Sequence, residues 1–143
     1  MEQEMVRLLD SLEDGKLLLS IPGIGEVTAA TILGETGGLR QYQNPNQIRK
    51  LAGIDLAGSQ SGGKQSELKI SKRGRRLLRK SLYQAAVACI RCNEVLIGFY
   101  MGLIDPGRHR RLAKKQALIA VMGKLVEIMY SLVRTFDSKY IWT

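Results

Sequence analysis

The chain has 143 residues, 45% of them hydrophobic, and 22 Lys and Arg against 13 Asp and Glu, for a formal net charge of +9. That length supports a single domain with a real core, and no apolar run is long enough to suggest a membrane span. The acidic start Met1-Glu2-Gln3-Glu4 does not read as a secretory signal, so a cytoplasmic site of action and no membrane partner are expected.

Met5, Leu8, Leu9 and Leu12 recur at helical spacing, so residues 2–12 are expected to form an amphipathic helix, the end of a longer coiled-coil-like element. Asp14 can cap a following helix that carries Lys16 to Ser20. Then comes Ile21-Pro22-Gly23-Ile24-Gly25, whose two glycines permit a tight backbone turn. A second helix follows, with small residues on its inner face, running to about Glu35 and stopped by Gly37-Gly38. Residues 16–36 thus read as a helix-hairpin-helix. The exposed N–H groups at the start of its second helix are suited to gripping a nucleic-acid phosphate without reading bases. The same pattern also fits a plain helix-turn-helix corner in a helical core.

Asn44 and Pro45 have the residue types of a helix cap and a first helical position, opening a short helix that closes at Gly53. Residues 54–66 hold three glycines and three serines and are expected to form an exposed loop. Leu68 to Ile70 could be strand-like, but nothing obvious offers it a sheet. Ser71 is a candidate cap for one long helix from about Lys72 to Leu103, with Leu77, Leu78, Leu82, Ala85, Ala86, Cys89, Leu96 and Tyr100 as its apolar positions. Asp105-Pro106-Gly107 breaks it. A last helix is expected from about Arg111 to Arg134. The fold class is therefore all-α: a helix-hairpin-helix and long C-terminal helices, with the Gly/Ser loop left uncovered.

Charge is distributed unevenly. Residues 1–38 hold seven acids and two bases, while the remainder hold 20 bases and six acids. A basic block of that density attracts a polyanion by counterion release, which points to nucleic acid. Lys64, Lys69, Lys72, Arg73, Arg75, Arg76, Arg79 and Lys80 face the single acid Glu67 within residues 64–80. A second basic group, Arg108, Arg110, Arg111, Lys114 and Lys115, surrounds His109. Cys89 and Cys92 share a helix face and read as buried free thiols, because one histidine and no second cysteine pair cannot complete a zinc site. No metal site is expected in this chain.

Three patterns occur in order: Ile21-Pro22-Gly23-Ile24-Gly25, Gln60-Ser61-Gly62, and Ser71-Lys72-Arg73-Gly74 with Leu78-Arg79. Together they resemble the C-terminal domain of a large bacterial family of insertion-sequence transposases. In that family an N-terminal RuvC-like domain bears an Asp/Glu cluster, and a helical C-terminal domain bears a serine nucleophile. The resemblance runs from about Lys16 to about Arg134. It implies residues 1–13 as the end of a helical connector and 14–143 as the C-terminal domain. It further implies DNA as the partner, a bridge RNA as guide, and a homo-oligomer in the full-length protein. The divalent metal would sit in the acidic domain, which has no counterpart here, and no cofactor is expected within this chain.

Taken alone, Ser61 is a solvated turn serine. The resemblance makes it the candidate nucleophile, with Gly62-Gly63 giving the backbone room to approach DNA and Lys64 neutralising charge on the phosphate. The candidate nucleic-acid contacts are Gly23, Ile24, Gly25, Lys64, Lys72, Arg73, Arg75, Arg76 and Arg79. Two other readings are a non-catalytic helix-hairpin-helix module that binds DNA, and a helical oligomerisation domain with solubilising basic faces.

Overall fold

A computed structural model describes residues 12–54, 56–57, 69–70, 75–109 and 111–135. The order is α1 (12–19), α2 (Glu26–Thr36), α3 (Pro45–Ala52), β1 (Leu56–Ala57), β2 (Lys69–Ile70), α4 (Arg76–Cys92), α5 (Glu94–Ile104) and α6 (Lys114–Thr135). Among the described residues the fold is helical apart from the two-residue ladder β1–β2, antiparallel with Leu56 opposite Ile70 and Ala57 opposite Lys69. The strand-like piece expected at 68–70 thus has a partner. It is Leu56–Ala57, at the near end of the Gly/Ser stretch. The paired positions are distant in sequence, so no local periodicity announces the pairing.

The core is one cluster of buried aliphatic side chains: Leu18, Ile21 and Ile24 from α1 and its turn, Ile32 from α2, Ile48 from α3, Leu78 and Leu82 from α4, Leu96 from α5, and Met122, Leu125 and Met129 from α6. α4 is the hub, packing against α2, α3, α5 and α6. Leu77 is the exception on the expected apolar face, exposed at 53% because it lies on the side of α4 turned away from α2 and α6. α6 is long and apolar enough to cross a membrane by length and composition, contrary to expectation. Its apolar side is accounted for by packing, since eight of its residues are buried.

The caps at α3 follow the sequence. Asn44 accepts from the Gln47 N–H, Pro45 fills the first turn, and Gly53 closes the helix at φ 74°. α2 ends at Thr36 with Gly37 in the left-handed region at φ 70°. The expected single helix from Lys72 to Leu103 is instead two helices bent by 96° at Asn93. Asn93 sits at φ −102°, ψ 108°, outside the helical region, and its side-chain oxygen accepts from the N–H groups of Val95 and Leu96. One residue therefore ends α4 and caps α5. The expected Ser71 cap lies outside the described residues, as do residues 2–11 of the helix expected over 2–12.

Asp14 is not a cap but sits inside α1, only 2% exposed. Its Oδ1 accepts from Arg40 Nη2 at 2.9 Å and Nε at 3.1 Å, a forked contact that ties α1 to the segment between α2 and α3. Asp14→Ala leaves the Arg40 guanidinium, itself mostly buried, without that carboxylate. The expected cost is about 3 kcal/mol in urea unfolding, the low end for breaking a buried ion pair because Arg40 keeps some solvent. A change below about 0.5 kcal/mol would show that the pair contributes nothing to the fold. The same segment is held from the other side. Tyr130 Oη and Arg134 Nη2 of α6 both donate to the Tyr42 carbonyl at 2.8 Å.

Candidate nucleic-acid interface

The turn between α1 and α2 is pinned to the corner between α4 and α5. The Pro22 carbonyl accepts from Cys89 Sγ and from Asn93 Nδ2, each at 3.3 Å. Gly23, at φ +104°, lies so close to α4 that a Cβ there would fall 2.7 Å from Cys89 Sγ and 2.9 Å from Cys89 Cα. Ile24 is buried at 6% and belongs to the core. Two of the three hairpin residues expected to touch nucleic acid are therefore occupied with packing. Gly25 differs: it is exposed, forms the uncapped N-cap of α2, and has nothing within 4 Å of a notional Cβ. Glu26 in the first turn supplies negative charge at the same helix end.

Burial also explains Cys89, whose thiol pKa is pushed up to about 11 by desolvation, with the neighbouring Cys92 adding to the shift. Cys92, expected to be buried, is exposed. At the end of α4 the helix face has already turned out of the core. Among the described residues no group of three or more His, Cys, Asp or Glu side chains is arranged to hold a metal ion.

The basic start of α4 lies at the opposite end of that helix from the hairpin. Thirteen residues separate Arg76 from Cys89, about 20 Å of helix. Arg75 is the N-cap of α4. Its backbone N–H donates to the Leu51 carbonyl at 2.7 Å, and its Nη1 donates to Glu35 Oε2 at 3.0 Å. Arg79 Nη1 reaches the Ala52 carbonyl at 3.4 Å, helping to close α3. Arg76 is exposed and makes no ion pair with a described residue. Ser61, Lys64, Lys72 and Arg73 lie outside the described residues. The second basic group is exposed at Arg108, His109, Arg111, Lys114 and Lys115, with α6 beginning at Lys114 rather than Arg111 and carrying no acid in its first turn.

To Arg76 and Lys80, which the charge count includes, the structure adds Tyr83, Val87 and Arg91, with Gln84 beside them. Arg76, Lys80, Tyr83, Val87 and Arg91 follow one another at helical spacing along α4, beside Gln84, and the helix contains no Asp or Glu. Of these only Val87 is half-buried; the others are exposed. The signal was present as the polar complement of the Leu78, Leu82, Ala85 and Cys89 stripe.

Residues 15–101 match the family model described as "Transposase IS116/IS110/IS902 family". A protein of Pseudomonas aeruginosa named "Probable family 20 transposase" is 35% identical over 120 residues, covering 81% of this chain and 34% of the relative. The pilin gene-inverting protein of Moraxella bovis is 32% identical over 124 residues, covering 82% of this chain and 36% of its own length. The transposase for insertion sequence element IS1111A of Coxiella burnetii is 33% identical over 90 residues, 63% of this chain and 25% of the relative. The chain thus spans about a quarter to a third of the length of these relatives.

Proposed function

Because this chain belongs to the IS116/IS110/IS902 family of transposases, we propose that it acts in DNA transposition or site-specific recombination as a DNA-binding C-terminal domain in which Ser61 is the nucleophile. The observation that carries this reading is the extent of the family match, residues 15–101, which runs through the hairpin, the segment bearing Ser61 and all of α4. A relative named for inverting a pilin gene supports recombination that rejoins DNA rather than only cutting it.

In this reading the Ser61 oxygen bonds to the phosphorus of a DNA phosphodiester as the bond from phosphorus to one deoxyribose oxygen breaks. The serine proton passes to a base outside the described residues, whose conjugate acid then protonates the departing deoxyribose oxygen so that it leaves as a hydroxyl. A deoxyribose hydroxyl of the new partner strand later attacks the phosphoserine and returns the serine. Lys64 offsets charge on the phosphate. Arg76 holds the backbone at one end of α4, with the open N–H groups following Gly25 about 20 Å away at the other, and Lys72 and Arg73 are further phosphate contacts. Arg75 and Arg79 contribute by setting the start of α4 against Glu35 and Ala52. The metal-binding acids, a guide RNA and homo-oligomerisation belong to the longer protein, with residues 1–13 as the connector to it.

Replacing Lys72, Arg73 and Arg76 together by Ala is expected to weaken duplex binding on all sequences alike. It should also flatten the dependence of log affinity on log salt by up to about 2.7, at about 0.9 per phosphate contact. Fluorescence anisotropy across a salt series measures both quantities. An unchanged affinity and slope would overturn the interface.

A further inference from the structure

The geometry points to the outer face of α4 as a helix that lies in the major groove of B-form DNA, with Arg76 and Arg91 on the phosphates and Lys80, Tyr83, Gln84 and Val87 against the base edges between them. This rests on the reading of the chain as a DNA-binding domain and goes beyond it, because that reading requires only a sequence-independent grip on the backbone. Three observations carry it. The face is acid-free over all 17 residues of α4, and Arg76, Lys80 and Arg91 make no ion pair with a described residue, so the charge is available to a polyanion. Its two ends are basic and its middle is mostly neutral. Arg76 and Arg91 are fifteen residues apart, about 22 Å, enough for their side chains to reach the phosphates bordering a groove about 12 Å wide. Finally, the middle has chemistry suited to base edges. Gln84 can donate and accept at adenine, while Tyr83, 49% exposed, and the outer methyls of half-buried Val87 offer apolar surface to a thymine methyl. The major groove of an RNA duplex is too deep and narrow for such a helix.

The test uses the whole 143-residue chain, a DNA duplex of mixed sequence about 30 base pairs long, and an RNA duplex of the same sequence; the DNA spans the roughly 22 Å face with room on either side. Lys80→Ala with Arg91→Ala is expected to weaken DNA binding about tenfold near 0.1 M salt and to reduce the salt slope by about 0.9, for the one phosphate contact that Arg91 makes. RNA-duplex binding should be unaffected by the same pair. Gln84→Ala is expected to relax the base preference recovered by selection from a randomised duplex, by about 5-fold to 100-fold at one position. Methyl green, a major-groove ligand, should compete, and the minor-groove ligand distamycin should not. Lys80, Gln84 and Arg91 are exposed, so circular dichroism melts of these variants should match the unaltered chain. Unchanged affinity and slope in the double variant, while the Lys72, Arg73 and Arg76 variant is weakened, would overturn the α4 assignment and leave the DNA-binding reading standing. Competition by distamycin alone would overturn the groove assignment. Failure of the unaltered chain to bind either duplex would overturn both.

Discussion

Gly23→Ala is expected to destabilise the fold by about 4 kcal/mol, more than its single added methyl group suggests, because two independent costs act at this position. At φ +104° an L-residue is strained by about 1–3 kcal/mol. The new Cβ would also fall 2.9 Å from Cys89 Cα and 3.0 Å from Cys89 N, backbone atoms that cannot swing aside as a side chain could. Moving α4 away would lengthen the bonds from Cys89 and Asn93 to the Pro22 carbonyl and open the corner between α4 and α5. Forcing such a contact typically adds about 1–3 kcal/mol. Gly25→Ser is the control. Gly25 has φ −94° and nothing within 4 Å of a Cβ, and serine is a good N-cap, so stability should be unchanged or slightly raised. Urea unfolding of the two variants separates the roles. A Gly23→Ala chain within about 1 kcal/mol of the original would mean that the turn and α4 are not in this close contact.

The contrast between those two glycines shows what the sequence could and could not convey. Pro22, Gly23, Ile24 and Gly25 mark a turn between helices by residue type alone, and the structure has one there. That Gly23 is there because α4 approaches it depends on Cys89, far along the chain, which no local pattern encodes. The same limit explains Asn93. It sits in an otherwise continuous helical periodicity from Leu78 to Tyr100, where one polar residue is tolerated without a break. The break is favoured because the Asn93 side chain both caps α5 and donates to Pro22. Asp14 reads as a cap from its neighbours and is a buried ion-pair partner because of Arg40. α3, by contrast, was fully legible, since Asn44, Pro45 and Gly53 act within the helix they bound. For the candidate site, counting bases located the start of α4 but could not tell Arg75 and Arg79, engaged with Glu35 and Ala52, from Arg76, which faces solvent. Burial and hydrogen bonding make that distinction.

In a longer protein that joins this chain to the acidic domain, Ser61→Ala is expected to abolish strand exchange, a loss of at least about a thousandfold, while leaving duplex binding nearly unchanged. The two outcomes separate because they depend on different terms. Binding is dominated by charge on phosphates, to which one hydroxyl adds little. Strand exchange without an external energy source requires that the energy of the broken phosphodiester be kept in a covalent link to the protein. Water attacking in place of Ser61 would release that energy as a hydrolysed end, so no solvent molecule restores the reaction. Ser59 and Ser66 are the controls, because they share the stretch and lack the following Gly-Gly that lets the backbone approach DNA. A denaturation-resistant protein–DNA adduct should therefore form with the unaltered protein and map by mass spectrometry to Ser61. It should persist in Ser59→Ala and Ser66→Ala and vanish in Ser61→Ala. Unaltered recombination by Ser61→Ala, or an adduct at Ser59 or Ser66, would remove Ser61 from the chemistry and leave this chain a DNA-binding module without a nucleophile.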